Sequence, residues 1–419
     1  DTVSIPANGS HYAISKGQIA LTKDLTISGA GARSVVIDAT GGASRIFSLA
    51  AAQTVTISGV TLTGGAPSNP GGAIEVTNGN LTVTDSDLTG NDVSGHVGGA
   101  IHQGGGTLTI QRSTISNNHA GDGAGLDLDN GTTTVSNTTI SDNHGFNNGS
   151  AVDTDGSGTI TFTNDTIVRN TGATDGGISD DARRIQMQNT LLAFNGPNDC
   201  EQTQSPRSLG NNLDSDGTCF PTGGGSTTAD PKIGTLANNG GPTDTVKLNS
   251  GSNAIDAGAT VGSIMTDQRG VTRPQPAGGH YDIGAYEFAL PIAATGPANL
   301  VTPNSAQVTG SVTPYPSARA FFQYGTTTAY GAQTSPESVT SVSSPTAISA
   351  VLSGLAPNTT YHYRVVAENA DGTQTGADMT FITTALPVAP LRPANCIQQH
   401  HSRHRRHRRR NDANQRGCV

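Results

Sequence analysis

Acidic residues recur at fixed intervals between residues 75 and 181, and they are the side chains whose types and spacing could do chemistry. One column reads Glu75, His102, Asp127, Asp153 and Ser179. Two positions further along stand Asp129, Asp155 and Asp181. If each interval is one coil of the chain, these groups stack about one strand spacing, ~4.8 Å, apart. Like charges at that distance raise one another's proton affinity. Such a row could bind a cation or supply an acid/base pair for glycoside cleavage. The plainer reading, which we favour, is a set of solvated aspartates beside turns, where Asp is common. The repeat region has no Lys, and Arg112, Arg169, Arg183 and Arg184 are its only Arg, with no calcium-binding signature beside them. No cofactor or metal is assigned.

The elements that position these columns follow from internal repetition. Five segments end in Asn after a common pattern: LTVTDSDLTGN, LTIQRSTISNN, TTVSNTTISDN, ITFTNDTIVRN and IQMQNTLLAFN. Their terminal residues are Asn91, Asn118, Asn143, Asn170 and Asn195, at steps of 27, 25, 27 and 25. A second column holds Ile74, Ile101, Leu126, Val152 and Ile178. Ten and eight residues before each Asn stand further apolar columns, led by Leu81 and Val83, and three before it a column led by Leu88. The first two alternate with polar residues, which is strand periodicity. The step of five to the third breaks that period and requires a bend. Each repeat is then about three short strands and three turns. A strand cannot bury its apolar face alone, so successive repeats must stack. The Asn column is expected to be structural: Asn tolerates the left-handed region at a bend, and stacked amides can hydrogen-bond. Residues 1–38 are expected to cap one end of the coil and residues 230–288 the other.

Composition agrees. The chain has 54 Gly, no Trp and only 13% charged residues, which suits a thin core of small β-formers and not a helix bundle. The net charge of −9 conceals a basic tail: residues 400–419 carry seven Arg and one Asp, and without them 16 basic and 31 acidic residues leave a balance of −15. An acidic body with four Lys excludes nucleic acid as a partner. No apolar run is long enough to span a membrane. Cys200 and Cys219 share one loop and read as a disulfide of an oxidising compartment, the alternative being two free buried thiols. No signal peptide is visible, which we read as a mature or trimmed form.

The motifs GGAI (71–74, 98–101), GAGL (123–126) and the xxxN ends resemble the repeats of bacterial polymorphic outer-membrane proteins, which are adhesins. A more specific resemblance covers residues 1 to about 288. It rests on DTVSIPANGSHYAI, DLTISGAGARSVVID, the Cys loop NDCEQTQSPRSLGNNLDSDGTC, DPKIGTLANNGGPTDTVKL, GSNAIDAG, TDQRGVTRP and DIGAYE. These are similar to the secreted choice-of-anchor Q proteins, whose Cys-containing lead-in is absent here. The resemblance implies a secreted right-handed parallel β-helix and no particular chemistry. Pectin hydrolases of that fold add a Gly-His-Gly and an Arg-x-Lys motif to their carboxylates. Asp180 and Asp181 have neither.

Residues 293 to about 385 resemble a fibronectin type III domain. The strands are AQVTGSV, ARAFFQYG, AISAVLSGL, TYHYRVVAEN and MTFITT; Leu355, Pro357 and Tyr361 form its tyrosine corner, and Phe321 and Phe322 fill the place of the usual core Trp. The expected fold class is therefore all-β: a right-handed parallel β-helix of about 26 residues per turn over 1–288, a fibronectin type III-like sandwich over 289–385, and a disordered His/Arg-rich tail over 386–419. The expected role is a monomeric extracellular or cell-surface binding protein. Its partners would be extracellular glycans or surface proteins. A polysaccharide lyase or glycoside hydrolase and a purely structural stalk are the alternatives.

Overall fold

The computed structural model describes residues 1–7, 11–201, 204–220, 225–341 and 343–388. Most of the basic tail lies outside the described residues. One coil runs Gly79–Thr84, Asp87–Thr89, Asp92–Val97 and Ile101–Gln103 before the next begins at Gly106–Gln111. Each strand pairs in parallel with its equivalent one coil on, so Leu81 lies opposite Leu108, Leu88 opposite Ile115 and Ile101 opposite Leu126. The stacking yields parallel sheets of nine, ten and six strands. These first, second and third sheets correspond to the three strands expected per repeat. A short fourth sheet of three strands, between the Asn and the GGAI motif, was not foreseen. The apolar columns meet inside the coil: Val83, Ile110, Val135, Phe162 and Met187 are fully buried, as are Leu88, Ile115, Ile140, Ile167 and Leu192. Each such side chain contributes about 1.5–3 kcal/mol.

The Asn column forms one continuous ladder. Nδ2 of Asn91, Asn118, Asn143 and Asn170 each donates to Oδ1 of the next Asn at 2.9 Å, and the backbone N–H of each donates to the same oxygen. Nδ2 also reaches a carbonyl of the preceding coil, Ile115 for Asn143. The ladder ends where Asn195 donates to Asp199 Oδ1. The left-handed backbone, however, is not at these asparagines. It falls one residue earlier, at Gly90, Asn117, Asp142, Arg169 and Phe194, and again six residues before each Asn, at Asp85, Arg112, Asn137, Asn164 and Asn189. The Asn is thus present for its amide and not for its backbone freedom. A second buried column, Ser86, Ser113, Thr138, Asp165 and Thr190, lines the bend between the first two sheets, and its side chains accept backbone N–H groups from the coil before, as in Ser86 N–H to Ser113 Oγ and Thr138 N–H to Asp165 Oδ1.

Both expected caps need correction. Residues 1–38 supply strands to the ends of the first three sheets and so form the first coils themselves. Residues 230–288 do not close the far end. They fold back as a strap along the outer face of the second sheet. Asn189 exchanges hydrogen bonds with Ala259, Thr166 Oγ1 accepts Ala285 N–H, Asn137 donates to the Thr266 carbonyl, and Arg33 pairs with Asp244 at 2.7 Å. Gln268, fully buried, donates to the Ser113 and Asp244 carbonyls and accepts from Thr139. The outward side chains of that sheet invite this cover, since they turn from Thr and Ser to Val168, Leu191 and Ala193, which pack on Val246, Leu248, Ile283 and Tyr286. The motifs TDQRGVTRP and DIGAYE become one knot. Fully buried Arg269 pairs with Asp267 and Arg273 with Glu287, each at 2.8 Å, and the Arg269 guanidinium lies 3.5 Å from the Tyr286 ring centroid.

Beyond the strap, a three-stranded and a six-stranded antiparallel sheet enclose a second core of Val308, Val312, Ile348, Leu352, Phe322, Tyr363 and Val365. Phe322 fills this core but Phe321 does not belong to it, because adjacent residues of a strand face opposite ways. The Tyr361 hydroxyl accepts the Ala356 N–H at 3.0 Å. Asp371 ties the sheets to the strap by accepting from the Tyr286 hydroxyl and the Ala289 N–H.

Two outcomes follow. Asn143→Ala removes one rung and strands buried donors and acceptors on both neighbours, each worth about 1–3 kcal/mol. It should lower stability by about 3 kcal/mol or more in chemical denaturation. The second concerns Asp87, beneath the strap. Burial, and then the charge of Asp244, push its carboxyl up to about 7 against the opposing pull of Arg33. The folded state therefore prefers the protonated form, and that stability is present at low pH and lost as pH rises through about 7. Asp87→Asn, which cannot ionise, should melt a few degrees above the parent at about pH 8 and level with it at about pH 4. An equal gap at both pH values would contradict the assignment.

Candidate functional site

The predicted acidic column does face outward, on the third sheet, but it is not a row of solvated aspartates. Asp127 is 3% and Asp153 5% exposed, and Ser179 is buried. Backbone register places Glu75 beside His102, His102 beside Asp127 and Asp127 beside Asp153. His102 is clamped at both ring nitrogens. Its Nδ1 lies 3.0 Å from both oxygens of Glu75, and its Nε2 lies 3.3 Å from Asp127 Oδ1 and 3.3 Å from Asp129 Oδ2. Asp127 Oδ1 is buried and has no hydrogen bond. Asp155 and Asp181 are exposed at the outer edge of the row.

Electrostatics follow from this crowding. Burial opposes a charged His102, but Asp129, Glu75 and Asp127 outweigh it and hold the imidazolium up to about 10. Burial pushes Asp127 up to about 8, against the pull of His102, and pushes Asp153 up to about 7, with Asp155 adding repulsion.

Three contributions escaped the sequence reading. Arg45, buried, stands 3.7 Å from Glu75 at one end of the row. Arg184, at the other end, bonds Thr154 and donates to the Asp129 carbonyl at 3.1 Å, reaching back across two coils. No repeat column marks Arg45 in the sequence; the pairing of Ser48 with Glu75, which brings Arg45 to the coil's entry to the row, is visible only in the structure. The third is an aromatic row on and beside the short fourth sheet. His119 and His144 lie with ring centroids 5.6 Å apart, and half-exposed Phe146 meets His144 edge-on at 5.2 Å. Asp122 joins the two rows, because its carboxylate accepts from Asn147 Nδ2 and Asn148 N–H and its charge acts on Asp153 and Asp155.

The first Gly of each GGAI-type motif makes the row possible. Gly71, Gly98, Gly123 and Gly149 all have positive φ, and a Cβ on Gly98 would lie 2.7 Å from the His102 Cβ. In the loop that closes the helix beyond the row, Cys200 and Cys219 are bonded. Asp199, Asp214 and Asp216 lie together there, each already accepting backbone N–H groups.

Residues 13–191 match the family model described as right handed beta helix region, and residues 299–383 match that of the purple acid phosphatase N-terminal domain. The body of the chain is thus a right-handed parallel β-helix, followed by antiparallel sheets. No curated protein matches the chain. Among solved structures, the chain is similar to pectate lyase Pel9A, with 17% identity over 68% of this chain and 87% of that one and a TM-score of 0.38. It is also similar to the sensor domain of the anti-sigma factor RsgI4 in Pseudobacteroides cellulosolvens, with 25% identity over 27% of this chain and 98% of that one and a TM-score of 0.20.

Gly98→Ala should destabilise the fold by about 1–3 kcal/mol. Gly95→Ala is the comparison, because Gly95 also has positive φ but nothing within 4 Å of its Cβ position. Denaturation midpoints should fall further for Gly98→Ala; equal losses would show that the row does not require this glycine.

Proposed function

We propose that this is an extracellular or cell-surface protein that binds an extended glycan across the third and fourth sheets. The observation that carries the reading is the meeting of the two rows at Asp122: aromatic faces at His119, His144 and Phe146 on one side, the accessible carboxylates of Asp129, Asp155 and Asp181 on the other. Sugar rings stack on aromatic faces while their hydroxyls donate to carboxylates, and both kinds of contact here repeat along a stiff parallel sheet. The bonded pair Cys200–Cys219 supports an oxidising location. In this reading the antiparallel sheets after residue 291 are a fibronectin type III-like spacer. The tie through Asp371 would hold that spacer in fixed relation to the binding face.

A glycan array followed by affinity electrophoresis tests the proposal. Phe146→Ala should weaken the retained glycan by about 1 kcal/mol, near fivefold, with no change in melting temperature. An array without a hit would leave the stalk reading. Release of reducing ends or unsaturated products from pectin, alginate or glycosaminoglycans would replace binding by turnover. If Asp153→Ala then left that turnover unchanged, the acidic row would not be its site.

A further inference from the structure

We propose that His102 Nε2, Asp127 Oδ1 and Asp129 Oδ2 form a site for one divalent transition-metal ion of the zinc class, with a fourth position open to water or a sugar oxygen. This inference does not depend on glycan binding.

The geometry of the three atoms is the first ground. A tetrahedral ion with bonds of about 2.0–2.1 Å holds its donor atoms about 3.3–3.4 Å from one another. The imidazole nitrogen lies 3.3 Å from each carboxylate oxygen, and all three atoms lie within 4.8 Å of one another. For a charged N–H···O bond, about 2.7–2.9 Å is usual, so a proton on Nε2 would serve both oxygens poorly.

Asp127 supplies the second, independent ground. Its Oδ1 is sealed from solvent, aims at Nε2 and has no hydrogen bond. A buried carboxylate oxygen without a donor is costly, and a cation at the centre of the three atoms relieves that cost.

The surroundings match what a metal-bound imidazole needs. Glu75 holds Nδ1 through both its oxygens, which fixes the ring and leaves Nε2 to face the site, the arrangement in which a carboxylate orients a metal-ligating His. Arg184 holds the Asp129 backbone carbonyl and so sets the third ligand. The charge is right as well: Glu75, Asp127, Asp129, Asp153 and Asp155 gather around His102, with Arg45 beside Glu75 and the charge of Arg184 acting on Asp155. Asp129 has about a third of its side chain exposed (35%), so a bound ion would be reached from outside on this side of the row. Calcium fits less well, since it takes six to eight oxygens at about 2.3–2.6 Å and does not favour imidazole.

The test uses the full chain, stripped with EDTA and titrated with Zn²⁺, Co²⁺ and Ca²⁺ by calorimetry and visible absorption. The four histidines of residues 400–410 are also of a metal-ligating type, so the reading is the difference between the parent chain and its variants. The parent should bind one more equivalent of Zn²⁺ than His102→Ala or Asp127→Asn, and its Co²⁺ form should carry an intense tetrahedral band that both variants lack. Asp129→Asn, at the half-buried outer ligand, tests the site without disturbing the buried row. It should weaken binding at least about tenfold, as should Glu75→Gln. Identical Zn²⁺ affinity and Co²⁺ spectra in parent and Asp129→Asn would overturn the proposal, as would uptake of Ca²⁺ in place of Zn²⁺ by the same residues.

Discussion

The structure depends on a constraint of register: every coil must bring the chain back to the same angular position one strand spacing further on. The Asn ladder enforces it. Each amide donates forward to the next Asn and backward to a carbonyl of the preceding coil, and its oxygen accepts two N–H groups from the coil before. A slip of one residue would turn an apolar column outward and break these bonds at once. The coils differ in length, 27 or 25 residues, yet the ladder geometry stays at 2.9 Å. The variation is absorbed in the loops between the ladder and the next first-sheet strand.

That regularity explains what was legible. A column repeated five times is visible in one sequence because each coil faces the same neighbours. Ile74, Val83, Leu88 and Asn91 could therefore be placed before any coordinates. The positions six before and one before each Asn were harder to read. They need left-handed backbone but are filled by Asp, Arg, Asn, Gly and Phe, which share no side-chain chemistry. The strap was unreadable for another reason. Gln268 meets Ser113 and Arg273 meets Asn137, contacts that cross well over a hundred residues and occur once each. Motifs such as TDQRGVTRP marked the strap as specific without saying what it covers.

The candidate site lies between these cases. The sequence placed Glu75, His102, Asp127 and Asp153 on one outward line, and the line exists. Their burial was not foreseen, because it depends on glycines that let loops press against the row and on arginines arriving from other coils, Arg45 from before and Arg184 from two coils beyond Asp129. Alternation along a strand tells which way a side chain points and says nothing of what lies above it. The aromatic row was missed because His119 and His144 belong to a sheet of three short strands, and Phe146 lies just past the end of the last of them.

The ladder also has a direction. Each amide-to-amide bond runs toward the C-terminal end, Gly65 N–H feeds the first oxygen, and the last donor meets Asp199, whose carboxylate accepts without having to pass a bond onward. The aligned amide dipoles thus finish on an acceptor suited to their positive end. The ladder by itself would accept another coil between Gly65 and Asp199, since both terminating residues would keep their partners. The strap would not, because it bonds Ser113, Asn137, Thr166 and Asn189 on successive coils, so the number of rungs is set from outside, by a segment of fixed reach.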